Sequence, residues 1–293
     1  MDVLRFDSQC ISCIFQKFVG NLDRSVSEKQ KLDYARQVLR IMADADDSVS
    51  APEIVAAVTD LKNKTFGESD DFAELKVKFN ALMLSKEPSM AQKIADSADS
   101  LKTAAKLAML GNYIDFGAMN SVSEETLDGL LDGADGIALD DTEYANFLND
   151  LKAAKSLVYL TDNCGEVVTD KLFIKELQKS FPKLKITVIV RGAPTLNDAT
   201  LEDAEQVGLP KVATVLSNGT NIAGTCIEKL SDGARDALLS ADLTVSKGQG
   251  NFETLHDCGL NVYYLFLCKC SLFSERFNVP KLTGMFLNDR RMK

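Results

Sequence analysis

From Ser156 onward the chain alternates short apolar runs with amphipathic stretches, and this alternation restricts the possible folds more than any other feature. Ser156–Leu160, Lys185–Val190, Val212–Leu216, Leu243–Val245 and Val262–Leu267 read as strands. Between them, Val167–Leu177, Ala199–Val207, Leu230–Leu239 and Phe252–His256 carry helical spacing. Strands separated by helices of this length predict an α/β fold with a doubly wound, mostly parallel sheet. In such a sheet, ligands collect outside the carboxyl ends of the strands.

The polar, glycine-bearing sequences fall at those ends. Strand one is followed by Thr161-Asp162-Asn163-Cys164-Gly165-Glu166, and strand two by Arg191-Gly192-Ala193-Pro194-Thr195-Leu196-Asn197-Asp198. Strand three leads into Ser217-Asn218-Gly219-Thr220-Asn221, and strand four into Ser246-Lys247-Gly248-Gln249-Gly250-Asn251-Phe252-Glu253. Asp162, Asn163 and Asp198 offer hard oxygen ligands suited to Mg²⁺ or Mn²⁺. Lys247 adds a point charge, Gly248 and Gly250 allow close backbone approach to a phosphate, and Arg191 is a candidate second phosphate contact. Together these are the parts that phosphoryl transfer needs. Each also has a plainer role: Asp198 can cap the helix after it, and a lysine beside glycines can be a solvated turn residue. The fourth loop is not a dinucleotide fingerprint, because Glu253 stands where the third glycine belongs, and no Walker lysine motif is present.

Residues 1–150 read differently, as a helical bundle or cap before the α/β core at 151–293. Cys10, Cys13, Ile14 and Phe18 mark one face of a first helix; Leu32, Ala35, Val38, Leu39 and Met42 mark a second. Ser50 and Pro52 open a third. Phe72–Met83 continues the pattern, Pro88 is expected to interrupt it, and Met90–Leu110 resumes it until Gly111. Asn112–Gly117 is a turn-rich segment, Ser123 caps a further helix, and Asp141–Leu151 precedes the sheet.

A formal charge of -10 argues against nucleic acid or an anionic membrane as a general partner. No apolar run reaches the length of a membrane helix and the first residues do not read as a signal peptide, so a cytoplasmic setting is expected. Seven cysteines fit a reducing compartment better than a disulfide framework. Cys10 and Cys13 form a C-x-x-C, and Cys268 and Cys270 form a second pair; core packing ranks above a four-thiolate metal site for them. Cys164 is either an oxidation sensor or a core residue. The single histidine, His256, rules out a multi-histidine zinc site and would have to carry any Ser-His-Asp chemistry.

Cys10 to Cys13, Gly111-Asn112-Tyr113-Ile114-Asp115, Asp162 to Glu166, Asn197-Asp198-Ala199-Thr200 and Lys247 to Glu253 together resemble the metal-dependent damage-control phosphatases, in their smaller prokaryotic type with an amino-terminal C-x-x-C. The resemblance implies a helical part over an α/β core, and hydrolysis of small phosphomonoesters such as sugar phosphates or damaged phosphometabolites. It also implies that Asp162, Asn163 and Asp198 hold a divalent metal (Mn²⁺, Co²⁺, Ni²⁺ or Mg²⁺), that Glu166 and Lys247 contact substrate, and that Asn112 and Asp115 line the cleft. Asp162 is either a ligand, a nucleophile or both. Two other classes stay open: a methyltransferase using a nucleoside cofactor, which lacks a glycine-rich first loop here, and a non-catalytic phosphometabolite-binding protein. The oligomeric state is left open.

Overall fold

The structure, a computed structural model, describes residues 5–67, 72–115 and 123–292. Three helices come first: α1 (Ser8–Phe15), α2 (Glu28–Ala43) and α3 (Ala51–Phe66). α1 runs on into a π turn, Gln16–Gly20. Ile14, Phe18, Tyr34, Val38, Met42, Ile54 and Val58 close a small core between these helices. The face of α2 differs from the expected one: Tyr34, Val38 and Met42 point inward, while Leu32 and Leu39 are exposed.

Next come α4 (Ala73–Asp96), α5 (Ser100–Gly111), α6 (Glu124–Asp132) and α7 (Asp141–Ala153). Pro88 does not interrupt the chain as expected but lies inside α4. Phe79, Met83, Met90 and Ile94 bury one continuous face on both sides of it, and Pro88 is on the exposed side. Tertiary packing outweighs the local penalty of a proline. The break falls instead between Asp96 and Ser100, where Asp99 caps α5. Ser123 caps α6 as expected. The turn-rich segment is seen as far as Asp115; Phe116 and Gly117 lie outside the described residues.

The remaining elements alternate: β1 (Ser156–Leu160), α8 (Glu166–Ser180), β2 (Lys185–Val190), α9 (Leu201–Gln206), β3 (Thr214–Ser217), α10 (Asp232–Ser240), β4 (Leu243–Lys247), α11 (Gln249–Leu255), β5 (Val262–Leu267), α12 (Ser271–Phe277) and β6 (Gly284–Asn288). The fold is thus α/β with a doubly wound, mostly parallel sheet, in the order β3-β2-β1-β4-β5-β6. Only β6 is antiparallel, pairing with β5; it and α12 were not anticipated. β3 begins two residues later than expected, because Val212 and Ala213 close a 3-10 turn.

Side chains alternate across the sheet. Leu157 and Tyr159 of β1 enter the core under α4 to α9, whereas Val158 and Leu160 enter the one formed with α10, α11 and α12. The first of these cores takes in residues from Phe79 to Phe286. Strand order reverses beside β1, which pairs with β2 on one side and β4 on the other. The loops leaving β1 and β4 therefore diverge and open a crevice at the sheet's carboxyl edge. The amino-terminal helices sit beside that edge: Asp60 accepts from Asn221 at 2.8 Å, Glu53 from Lys229 at 2.7 Å, and Arg5 donates to the Thr254 carbonyl at 3.2 Å. Among the described residues no helix is long and apolar enough to cross a membrane.

Candidate active site

Gly165, at φ +68°, turns the chain from β1 into α8. A Cβ there would lie 3.0 Å from Ile114 Cδ1 and 3.3 Å from the Phe79 carbonyl, so the turn needs glycine both for conformation and for space. The loop after β2 folds back onto this turn. Asn163 and Asp198 form an antiparallel bridge, Ala199 N–H donates to the Asp162 carbonyl at 2.7 Å, and Cys164 N–H donates to the Asn197 carbonyl at 2.8 Å. Asp198 is not the helix cap its position allowed. Thr200 is the N-cap of α9, which leaves the Asp198 carboxylate for the crevice.

The side chains then interlock. Asp162 Oδ2 accepts from Asn112 Nδ2 at 2.9 Å and from Asn163 Nδ2 at 2.7 Å. Glu166 Oε2 accepts from the same two amides, each at 2.9 Å. Asn112 Oδ1 accepts from Leu267 N–H at 3.0 Å, which ties the end of α5 to the end of β5. Asp198 Oδ2 accepts from Arg191 Nε at 2.6 Å, and Arg191 Nη2 lies 3.7 Å from Asp162 Oδ1 with no hydrogen-bond partner of its own.

Burial sets the electrostatics. Asp162, Asn163 and Asp198 are 6%, 2% and 3% exposed. Burial, and then the negative charges of Asp198 and Glu166, push Asp162 well above the usual carboxylate range. Burial also pushes Asp198 up to about 6, against the pull of Arg191. Acids that destabilise one another in a desolvated crevice are suited to a cation.

The fourth loop differs from its expected role. Lys247 is fully buried, and Nζ donates to Glu166 Oε1 at 2.5 Å, to Asp170 Oδ1 at 2.8 Å and to the Ala108 carbonyl at 2.8 Å. Its three donors are used, so Lys247 stands behind Glu166 and does not present its charge to a ligand. The side chain leaves β4 toward α5 and α8, a direction that a strand-end position does not reveal. Gly248 is required sterically: a Cβ there would fall 2.0 Å from Asp162 Oδ2, at φ +80°. Its N–H is directed to the Leu265 carbonyl at 3.3 Å, not to the crevice.

Three further residues belong to the site and were not singled out for it. Asn251 donates to the carbonyls of Thr161 at 3.0 Å and Lys247 at 2.7 Å, and accepts from Arg191 Nη1 at 3.2 Å, so it joins three loops. Lys269, after β5, pairs with Asp115 at 2.7 Å, and its charge opposes the upward shift of Asp162. Lys269 lies in a fifth strand-end loop, after Val262–Leu267, where it stands between Cys268 and Cys270. Burial pulls Lys17, in the π turn, below the usual lysine range, and the charges of Asp115, Cys13 and Asp198 oppose that shift, which puts Lys17 on the side of the same acids.

The cysteines take no part in the crevice. All seven are free; Cys13 is exposed, Cys10 half-buried, and Cys268 lies against Ser274 in the core. Among the described residues no three His, Cys, Asp or Glu side chains are grouped to hold a metal. Cys164 is buried in the main core and burial raises its thiol, which answers the choice between sensor and core residue. His256 stacks on Phe252, and its Nδ1 lies 3.0 Å from the Phe252 carbonyl.

The family model of the damage-control phosphatase ARMT1-like domain matches residues 6–283. The chain is 29% identical over 291 residues to a damage-control phosphatase of Pyrococcus horikoshii, covering 95% of this chain and 96% of that one. It is 37% identical over 209 residues to a damage-control phosphatase of Archaeoglobus fulgidus, covering 70% of each. Among solved structures it is similar to the crystal structure of a DUF89 family protein from Pyrococcus horikoshii, with TM-score 0.76, 27% identity, and 97% and 98% of the two chains covered. The chain belongs to the damage-control phosphatase ARMT1-like family.

Proposed function

We propose that the protein is a divalent-metal-dependent phosphatase that hydrolyses small phosphomonoesters, such as sugar phosphates or damaged phosphometabolites. The observation that carries this reading is the buried pair Asp162 and Asp198, each raised above the usual carboxylate range, beside the unpartnered Arg191 Nη2. The names of the relatives support phosphate ester hydrolysis as the general chemistry.

The donor set fits a hard divalent ion such as Mn²⁺, Co²⁺, Ni²⁺ or Mg²⁺. Asp162 and Asp198 would hold it with the amide oxygen of Asn163, and Gly248 leaves the space beside the Asp162 carboxylate that a Cβ at that position would fill. When bound, such an ion supplies Lewis-acid neutralisation of charge on a phosphoryl oxygen. The chain's own residues do the rest. Arg191 orients Asp198 through Nε and has Nη2 left for a phosphoryl oxygen. Lys269 brings positive charge on the Asp115 side. Asn112, Asn163 and Lys247 fix Glu166, which in turn holds the Asn112 and Asn163 amides in place beside Asp162.

Phosphate release from a panel of sugar phosphates, with each of the four ions and with chelator, tests the reading. Asp162→Ala and Asp198→Ala should each abolish metal-dependent turnover while leaving the far-ultraviolet circular dichroism unchanged. Turnover retained by either variant would remove that residue from the site. No release from any substrate with any ion would favour a binding protein or a group-transfer enzyme.

A further inference from the structure

Asn80 lies on α4, behind the crevice, and is fully buried. Its Oδ1 accepts from Gly165 N–H at 2.6 Å, within the turn that carries Asn163 and Glu166. Its Nδ2 donates to Asp203 Oδ1 at 2.8 Å and to Gln206 Oε1 at 2.9 Å, both on α9. Asp203 Oδ2 accepts in turn from Thr200 N–H at 2.8 Å, from Thr200 Oγ at 2.9 Å and from Lys76 Nζ at 2.6 Å. Thr200 follows Asp198 by two positions. A single amide therefore grips the loop after β1 directly and the end of the loop after β2 through Asp203.

The chemistry at this point asks for an amide. Gly165 N–H precedes the first turn of α8 and has no helical acceptor, so a buried partner must come from elsewhere. Asp203 already takes three donors on Oδ2, and its Oδ1 needs another. An asparagine supplies an acceptor and a donor from one planar group. Aspartate at 80 would keep the acceptor, lose the donor and place a negative charge against Asp203. Alanine would leave both partners buried and unsatisfied.

We propose that Asn80 is a positioning residue that sets the placement of Asp162 relative to Asp198 by tying both loops to α4. The functional part of this inference rests on the reading of those carboxylates as the metal-holding pair. Asn80 acts through the backbone and Asp203, one step beyond the partners bonded directly to a ligand, whose loss typically changes metal affinity about 10–100-fold, so a change at or below the low end of that range is expected.

Hydrogen exchange on the metal-free protein tests the tie without any activity. In Asn80→Ala, peptides spanning 161–167 and 198–206 should both exchange faster, while peptides in β4 and β5 remain as in the wild type. In Asn80→Asp, which keeps the acceptor for Gly165, protection should return in the first peptide but not in the second. This second variant also serves if Asn80→Ala fails to fold. Titration calorimetry with Mn²⁺ should show binding to Asn80→Ala weakened by up to about 10-fold relative to the wild type. In Asn80→Ala, unchanged exchange in either peptide, faster exchange spread evenly over the whole protein, or undiminished Mn²⁺ affinity would overturn the proposal, as would wild-type protection of peptide 198–206 in Asn80→Asp. A wild-type protein that binds no Mn²⁺, with both peptides still loosened in Asn80→Ala, would instead remove the metal reading and leave the structural tie in place.

Discussion

Asp170 shows how much depends on the surroundings of one carboxyl. It is fully buried on α8, accepts from Tyr159 Oη at 2.7 Å and Lys247 Nζ at 2.8 Å through Oδ1, and leaves Oδ2 without a partner. Burial pushes it up to about 7, although Lys247 pulls the other way. Between roughly pH 4 and 7 the folded chain therefore keeps a proton that the unfolded chain has released. The unfolded state binds fewer protons in that window, so this group's contribution to stability falls as pH rises through it. Asp170→Asn should flatten that part of the profile, measured as the difference in urea unfolding free energy between pH 5 and pH 7.5. An unchanged slope would show that Asp170 keeps an ordinary carboxylate titration. Lys247 belongs to the same cluster. Its position at a strand end was plain from the sequence, but its direction was not, because the acids that claim it come from α8 and the carbonyl from α5.

Among the elements, α3 is the clearest case of local sequence fixing local structure. Ser50 precedes it, Pro52 sits in its first turn, and Glu53 accepts from both Ser50 N–H at 2.8 Å and Ser50 Oγ at 2.7 Å. Glu53 also takes Lys229 at 2.7 Å, so the start of the helix is linked to the segment after β3. Ser50→Ala should cost about 1 kcal/mol of stability, read from the urea midpoint at constant slope; no shift would mean that the serine contributes nothing to the start of α3. α4 is the opposite case. Pro88 argued for a break, and the buried row Phe79, Met83, Met90 and Ile94 carried the helix past it. β6 escaped notice because Gly284–Asn288 is short, lies beyond the last helix-strand alternation, and is defined by its antiparallel pairing with β5.

At the scale of the molecule, the order β3-β2-β1-β4-β5-β6 makes one place where loops diverge, and Asp162, Asp198 and Asn251 meet there. A ligand that binds only the folded chain at this place stabilises all of it. Mn²⁺ at about 100 times its Kd should raise the unfolding free energy by about 2.7 kcal/mol. Chelator should reverse the effect and Asp162→Ala should lack it. No stabilisation by any of Mn²⁺, Co²⁺, Ni²⁺ or Mg²⁺ would count directly against the metal reading.

By itself the sequence determined what depends on near neighbours: the alternation that makes a parallel sheet, the glycine turn after β1, the serine caps, and the placement of polar loops at the strands' carboxyl ends. Periodicity and turn chemistry act over a few residues and can be read along the chain. The tertiary structure alone decided which side chains face the crevice and which support it. Lys247 turned inward, Lys269 entered from a fifth loop, and Asn80 reached Gly165 and Asp203 across 85 and 123 residues of sequence. These outcomes follow from how buried donors and acceptors must pair once the sheet and helices are packed, and local pattern carries no information about partners so far away.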